Sequence, residues 1–211
     1  MDLQRASAVT VSRFVAIPVI LVLLSGIVGC SRTDSAGTDE VLASSLPQLF
    51  QQALDQGDAS PIEREAIERA IVAGRIDAAD YEAAHVRYMQ CMMSNGIEPQ
   101  IRKTPAGYYI EEGWDSNRTD AMDVHWRCLA DNALIDQLYR IQQANPGLLA
   151  DQRLVAIQCL RREGLVDADY TVDDFDRDLG DMSKPTFPFD IYAESANNCL
   201  FFAGYAFYTM S

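Results

Sequence analysis

The chain has 211 residues, 48% of them hydrophobic and 23% charged, with a formal net charge of −14. That length suits one domain of ordinary size or two small ones. A surface this acidic repels nucleic acid and anionic lipid headgroups, so neither is expected as a partner; the plain role of the charge is solubility.

The first thirty residues have the parts of a secretory signal. Arg5 and Arg13 form a positive n-region. Phe14 to Val28 is an apolar run broken only by Pro18, Ser25 and Gly26. It has the length of a signal h-region and is short for a membrane span. The run ends in Ile27-Val28-Gly29-Cys30: aliphatic, aliphatic, small, cysteine. This resembles the lipobox of bacterial lipoprotein precursors, and the resemblance covers residues 1–30. It implies cleavage before Cys30 and a diacylglyceryl group on the Cys30 sulfur. Two acyl chains hold a protein at a bilayer stably, where one is marginal. The expected location is therefore the cell membrane, facing outside the cytoplasm, with Cys30 as the anchor.

The expected organisation is a signal peptide over 1–29, a lipidated cysteine and flexible tether over 30–45, a first helical unit over 46–146 and a second over 147–211. Removing 1–29 takes away Asp2, Arg5 and Arg13, so the mature chain carries about −15. "SRTDSAGTDEVLASS", residues 31–45, has no apolar period and is rich in Ser, Thr, Asp and Gly, which predicts a tether.

The helices follow in order. "LPQLFQQALDQ" over 46–56 predicts a short helix stopped at Gly57. Ser60-Pro61-Ile62-Glu63 is a capping box with Pro at the first helical position, opening a helix that ends at Gly74. Asp77 caps the next, whose Tyr81, Ala84, Tyr88 and Cys91 share a stripe and which stops at Gly96. Residues 97–112 read as a β-hairpin around Thr104-Pro105-Ala106-Gly107. One long helix is expected over 119–143, then one over about 148–163. A short one lies in "TVDDFDRDL", capped by Thr171, and a last one starts near Asp190. The fold class is thus mainly α, with one small hairpin.

Beyond Cys30 the cysteines are Cys91, Cys128, Cys159 and Cys199. An even count in an exported chain predicts disulfides, and four cysteines allow three pairings. An internal repeat chooses between them. "YMQCMMSNGIEP" and "AIQCLRREGLVD" align as apolar-Gln-Cys-apolar, three residues, then Gly-aliphatic. "RCLAD" and "NCLFF" share Cys-Leu inside amphipathic runs, and the two Cys–Cys intervals are nearly equal in length. Two duplicated, Cys-paired helical units are therefore expected, closed by Cys91–Cys128 and Cys159–Cys199.

No motif for catalysis or cofactor binding is visible: no nucleophile elbow, HExxH, CxxC, GxGxxG or P-loop. An EF-hand count around Gly74 puts Arg69, Ile71 and Ala73 at ligand positions, which rules it out. Asp174-x-Asp176-x-Asp178 has the opening spacing of a calcium loop but continues with Leu179 for Gly and Pro185 for Glu, so a solvated acidic face is expected across residues 167–181. His125-x-x-Cys128 could start a zinc set with His85 and Cys91, but the second unit keeps its cysteines without histidine, which disulfides explain and zinc does not. Glu111 and Glu112 adjoin on a strand and would point to opposite faces. No catalytic residues, metal or cofactor are assigned. The expected function is a cell-envelope surface protein, a non-catalytic binding or structural module for an envelope or extracellular protein or polymer. The alternative is a hydrolase of envelope or secreted polymer using carboxylates.

Overall fold

The computed structural model describes residues 40–115 and 118–207. The lipobox, Cys30 and the tether up to residue 39 lie outside the described residues. Eight helices and one hairpin follow in order: α1 (Leu46–Asp55), α2 (Pro61–Ala73), α3 (Ala78–Ser94), β1 (Glu98–Lys103), β2 (Tyr109–Asp115), α4 (Ala121–Leu129), α5 (Ala133–Ala144), α6 (Gln152–Arg162), α7 (Val172–Leu179) and α8 (Glu194–Phe202). The chain is mainly helical with one two-stranded antiparallel sheet. None of the described helices is long and apolar enough to cross a membrane.

The disulfides are Cys91–Cys128 and Cys159–Cys199, with Cα–Cα distances of 5.5 and 5.4 Å. The repeat extends to the helix ends. Gly96 (φ +74°) donates to the Met93 carbonyl at 2.9 Å, and Ile97 to that of Met92 at 3.1 Å. Gly164 (φ +69°) donates to Arg161 at 3.0 Å, and Leu165 to Leu160 at 2.9 Å. Both are Schellman caps, which close a helix through a left-handed residue that glycine adopts without strain. Each cap begins one residue after its cysteine, so the bridge clamps the last turn of α3 and of α6.

Three cores form around this frame. α1, α2, α3, α5 and the hairpin enclose Phe50, Ile67, Tyr81 and Ile135. A second, around the first disulfide, holds Tyr88, Met92, Ile97 and Val124. The third holds Ile157, Leu160, Phe175 and Leu200 of α6, α7 and α8. Phe202 packs against both the first and the third.

Some expectations need correction. The single helix over 119–143 is two helices, α4 and α5, broken at residues 130–132. Asn132 turns its side-chain Nδ2 onto the Cys128 carbonyl at 2.8 Å, and its backbone N–H onto that of Leu129 at 2.9 Å. A short polar side chain thus takes a carbonyl the helix needed, and the ladder stops. Glu63 of α2 then accepts from Leu134 N–H at 2.8 Å, supplying from outside the cap that Asn132 does not make. α6 starts at Gln152 and α8 at Glu194, later than expected. The tether also ends sooner than residue 45. Leu42 N–H donates to the Leu148 carbonyl at 2.7 Å, Ala150 N–H to that of Glu40 at 2.8 Å, and Ala43 is buried.

Candidate functional site

α3 presents Tyr81, Ala84, His85 and Tyr88 at helical spacing on one side of a cavity of about 60 Å³. Across from them, α5 and its cap contribute Asn132, Asp136 and Arg140, one turn apart. Ile101 of β1 pairs with Glu111 of β2, and Glu111 shares a strand face with Tyr109; all three line the same space. The floor residues Tyr81, Ala84, Tyr88 and Asn132 are buried, while His85, Ile101, Tyr109 and Glu111 are half-buried, so the cavity opens along the hairpin.

The register of the hairpin slips between Gln100 and Ile101, where Glu112 is the extra residue. Glu111 faces the cavity; Glu112 instead pairs with Arg102 at 2.7 Å. The two acids do point apart, as alternation on a strand requires.

The polar groups form two linked sets. Tyr88 donates its hydroxyl proton to Glu111 Oε2. Its oxygen also lies 3.0 Å from His125 Nδ1, which assigns that ring proton to Nδ1, donating to Tyr88. In the other set, Tyr81 donates to Asp136 Oδ1 at 3.0 Å and accepts from Tyr109 N–H at 2.8 Å. Arg140 Nε holds Asp136 Oδ2 at 2.8 Å. Burial pushes the Tyr88 hydroxyl far above the ordinary tyrosine range, and its bond to Glu111 adds to the rise. Burial does the same to Tyr81, reinforced by the Asp136 charge. Both therefore remain phenols and hydrogen-bond donors at neutral pH.

His85 stacks flat on Tyr109, with ring centroids 3.6 Å apart and planes 9° from parallel. Burial pulls its pKa below 6.5, against the opposing pull of Glu82 and Asp136. An NMR titration should place the His85 midpoint below that value. The folded state then binds this proton less readily than the unfolded chain. The stabilisation is complete above about pH 6.5 and is lost as pH falls through the lower folded midpoint. Urea unfolding of a His85→Gln variant should lose that part of the pH dependence. A His85 midpoint at or above 6.5 would contradict this picture.

Two polar atoms on this lining lack a hydrogen-bond partner among the described residues: Asn132 Oδ1, and Arg140 Nε, which keeps only its ion pair with Asp136. Asn132 is 3% exposed and lines the cavity. Its Nδ2 is bound to the Cys128 carbonyl, while Oδ1 is a buried acceptor with no hydrogen-bond partner among the described residues. Buried acceptors are rarely left so, because the lost hydration costs about 1–3 kcal/mol.

The sequence-derived site residues fall elsewhere. Cys91, Cys128, Cys159 and Cys199 are structural, and neither Cys128 nor Cys91 has a free thiol for a metal. His85 faces the cavity while Cys91 faces Cys128. Among the described residues no three His, Cys, Asp or Glu side chains converge as a metal site. The calcium-like acids are spent on internal bonds. Asp174 caps α7 through Thr171 and pairs with Arg177, Asp176 pairs with Arg153, and Asp178 accepts from Tyr170. The Thr171 bonds and then Arg177 lower Asp174 to about 2. What sequence reasoning missed is that both histidines meet one cavity, His125 through Tyr88 and Glu111. No local motif carries this; only the stripe of α3 hinted at it.

Comparison with protein-family models, with curated proteins and with solved structures finds no match to this chain.

Proposed function

We propose that the chain is a lipid-anchored, extracytoplasmic binding module that takes a small group of its ligand into the cavity between α3, α5 and the hairpin. The observation that carries the reading is the buried Asn132 Oδ1, an acceptor on the cavity lining with no hydrogen-bond partner among the described residues. Such a site is built to receive a donor. Glu111 and Asp136 sit on the same cavity, as the carboxylate hydrolase would need. Each accepts from a tyrosine hydroxyl, and Asp136 is also ion-paired with Arg140, so both carboxylates serve as acceptors in fixed networks. Binding is therefore favoured over hydrolysis.

The location rests on the lipobox and agrees with two disulfides, which belong to oxidising compartments. The ten chain links from Cys30 to Glu40 can span at most about 35 Å, which keeps the module close to the bilayer.

In the native bacterium, Cys30→Ser should abolish acyl labelling and shift the protein out of the detergent phase. A Cys30→Ser chain that still labels and partitions there overturns the anchor. Envelope extract added to the isotope-labelled lipoprotein in micelles should move amide signals of α3, α5 and the hairpin. Shifts confined to other faces would overturn the site.

A further inference from the structure

We propose that the group this cavity takes is a primary ammonium, carried on a short aliphatic stem. The inference rests on the binding reading above and adds the ligand's chemistry to it.

The unmet requirement at Asn132 is a hydrogen-bond donor. Asn132 Oδ1 is an acceptor only, and its orientation is set because Nδ2 is spent on Cys128. An anion or a carbonyl group cannot satisfy it. The charges select further. Glu111 and Asp136 bring two carboxylates to the lining and Arg140 one guanidinium. The guanidinium is ion-paired with Asp136 at 2.8 Å, and its carbon sits over the Tyr108 and Phe201 rings at 5.9 and 5.8 Å. His85 is neutral at pH 7 because burial lowers its pKa. Lys103, bound to Glu82 and lying over the Tyr109 ring, does not line the cavity. The lining is thus negative on balance. A carboxylate has about four acceptor positions; Asp136 uses two, on Tyr81 and Arg140, and Glu111 one, on Tyr88, so both keep capacity for a further donor. An ammonium has three donors and no acceptor.

The walls agree. Tyr81, Tyr88 and Tyr109 line the space together; one face of Tyr81 is stacked on Tyr139 and one of Tyr109 on His85, and a desolvated cation is attracted by an aromatic face left open to it. The volume limits the stem. About 60 Å³ exceeds the ~10–15 Å³ that one water needs and falls well short of the ~150 Å³ that holds a benzene ring. An ammonium with one or two carbons fits; a sugar ring does not enter whole. The ligand is therefore an amine-bearing molecule that inserts its amino end, with the rest outside along the hairpin.

The test uses the purified full-length lipoprotein in micelles, isotope-labelled, with three probes of like size: ethylammonium chloride, ethanol and sodium acetate. The reporters are the Asn132 side-chain amide and the His85 ring protons. Ethylammonium should give saturable shifts at both, with a dissociation constant in the millimolar range, which is what three heavy atoms allow. Ethanol should bind at least tenfold more weakly, and acetate should leave both reporters unmoved. Glu111→Gln keeps an oxygen for the Tyr88 hydroxyl but removes the charge. It should weaken ethylammonium at least tenfold and leave ethanol unchanged. Equal binding of ethanol and ethylammonium, or an unaffected Glu111→Gln, overturns the ammonium and leaves a neutral donor site. Acetate binding at these reporters overturns the class and keeps the cavity as a site. No saturable shift with any probe means the cavity holds water alone, and then the binding reading falls with it.

Discussion

Replacing Cys91 and Cys128 together by alanine will lower the free energy of unfolding by about 4 kcal/mol and leave the second bridge closed. The bridge spans 37 residues, and in the chain-entropy account a loop of that length contributes roughly this amount by restricting the unfolded chain. The native state offers little to make up the loss. α4 has nine residues and no side-chain bond at its N-terminus, so its place depends on what its C-terminal turn is tied to. That turn carries Cys128, and the apolar cluster of Met92, Ile97 and Val124 surrounds the bridge. For a domain of this size the change corresponds to a fall in melting temperature of roughly 10 °C. Scanning calorimetry and urea titration of the double variant measure it, with peptide mapping to show Cys159–Cys199 intact. A loss below about 1 kcal/mol would mean that packing alone holds α4 to α3.

Glu63→Ala should cost about 3 kcal/mol, more than any exposed acid in the chain. Glu63 is a charged side chain that is 2% exposed. One oxygen accepts from Ser60 N–H at 3.1 Å and the other from Leu134 N–H at 2.8 Å, so one carboxylate closes the N-termini of both α2 and α5. Helix N-termini carry partial positive charge and orphan N–H groups, which makes a shared carboxylate favourable at both. Alanine removes both bonds at once and leaves two part-buried donors without that acceptor, at a cost of up to about 1–3 kcal/mol each. Glu63→Gln keeps one acceptor oxygen and should cost about 1 kcal/mol. Urea unfolding of the two variants tests the pair. Equal, small losses would show that water reaches these N–H groups.

Much of the fold was legible because its signals are local. The Ser60 and Thr171 capping boxes, the Thr104–Gly107 turn and the Gly96 and Gly164 helix ends each depend on residues within one turn of each other. One such signal was overlooked. Cys199-Leu200 is also followed by a glycine five residues after the cysteine, and Gly204 and Tyr205 donate to the Phe201 and Leu200 carbonyls as in the other two caps. The break between α4 and α5 was not legible in the same way. The helical period runs through it, and the acceptor that caps α5 comes from Glu63, far away in the chain.

The sequence by itself determined the helical class, the hairpin and the disulfide pairing. Periodicity, caps and a repeat are properties of neighbouring residues, and they survive in a string of letters. Only the tertiary structure decided that His85, Tyr88, Glu111, Asn132 and Asp136 surround one cavity, with His125 behind it. They come from α3, β2, α4, α5 and the cap of α5, and no sequence spacing relates one element's residues to another's. What brings them together is the burial of the apolar faces of those elements, aided by one disulfide and one shared carboxylate. Hydrophobic burial is non-directional, so it leaves no pattern in the sequence for the polar groups it gathers.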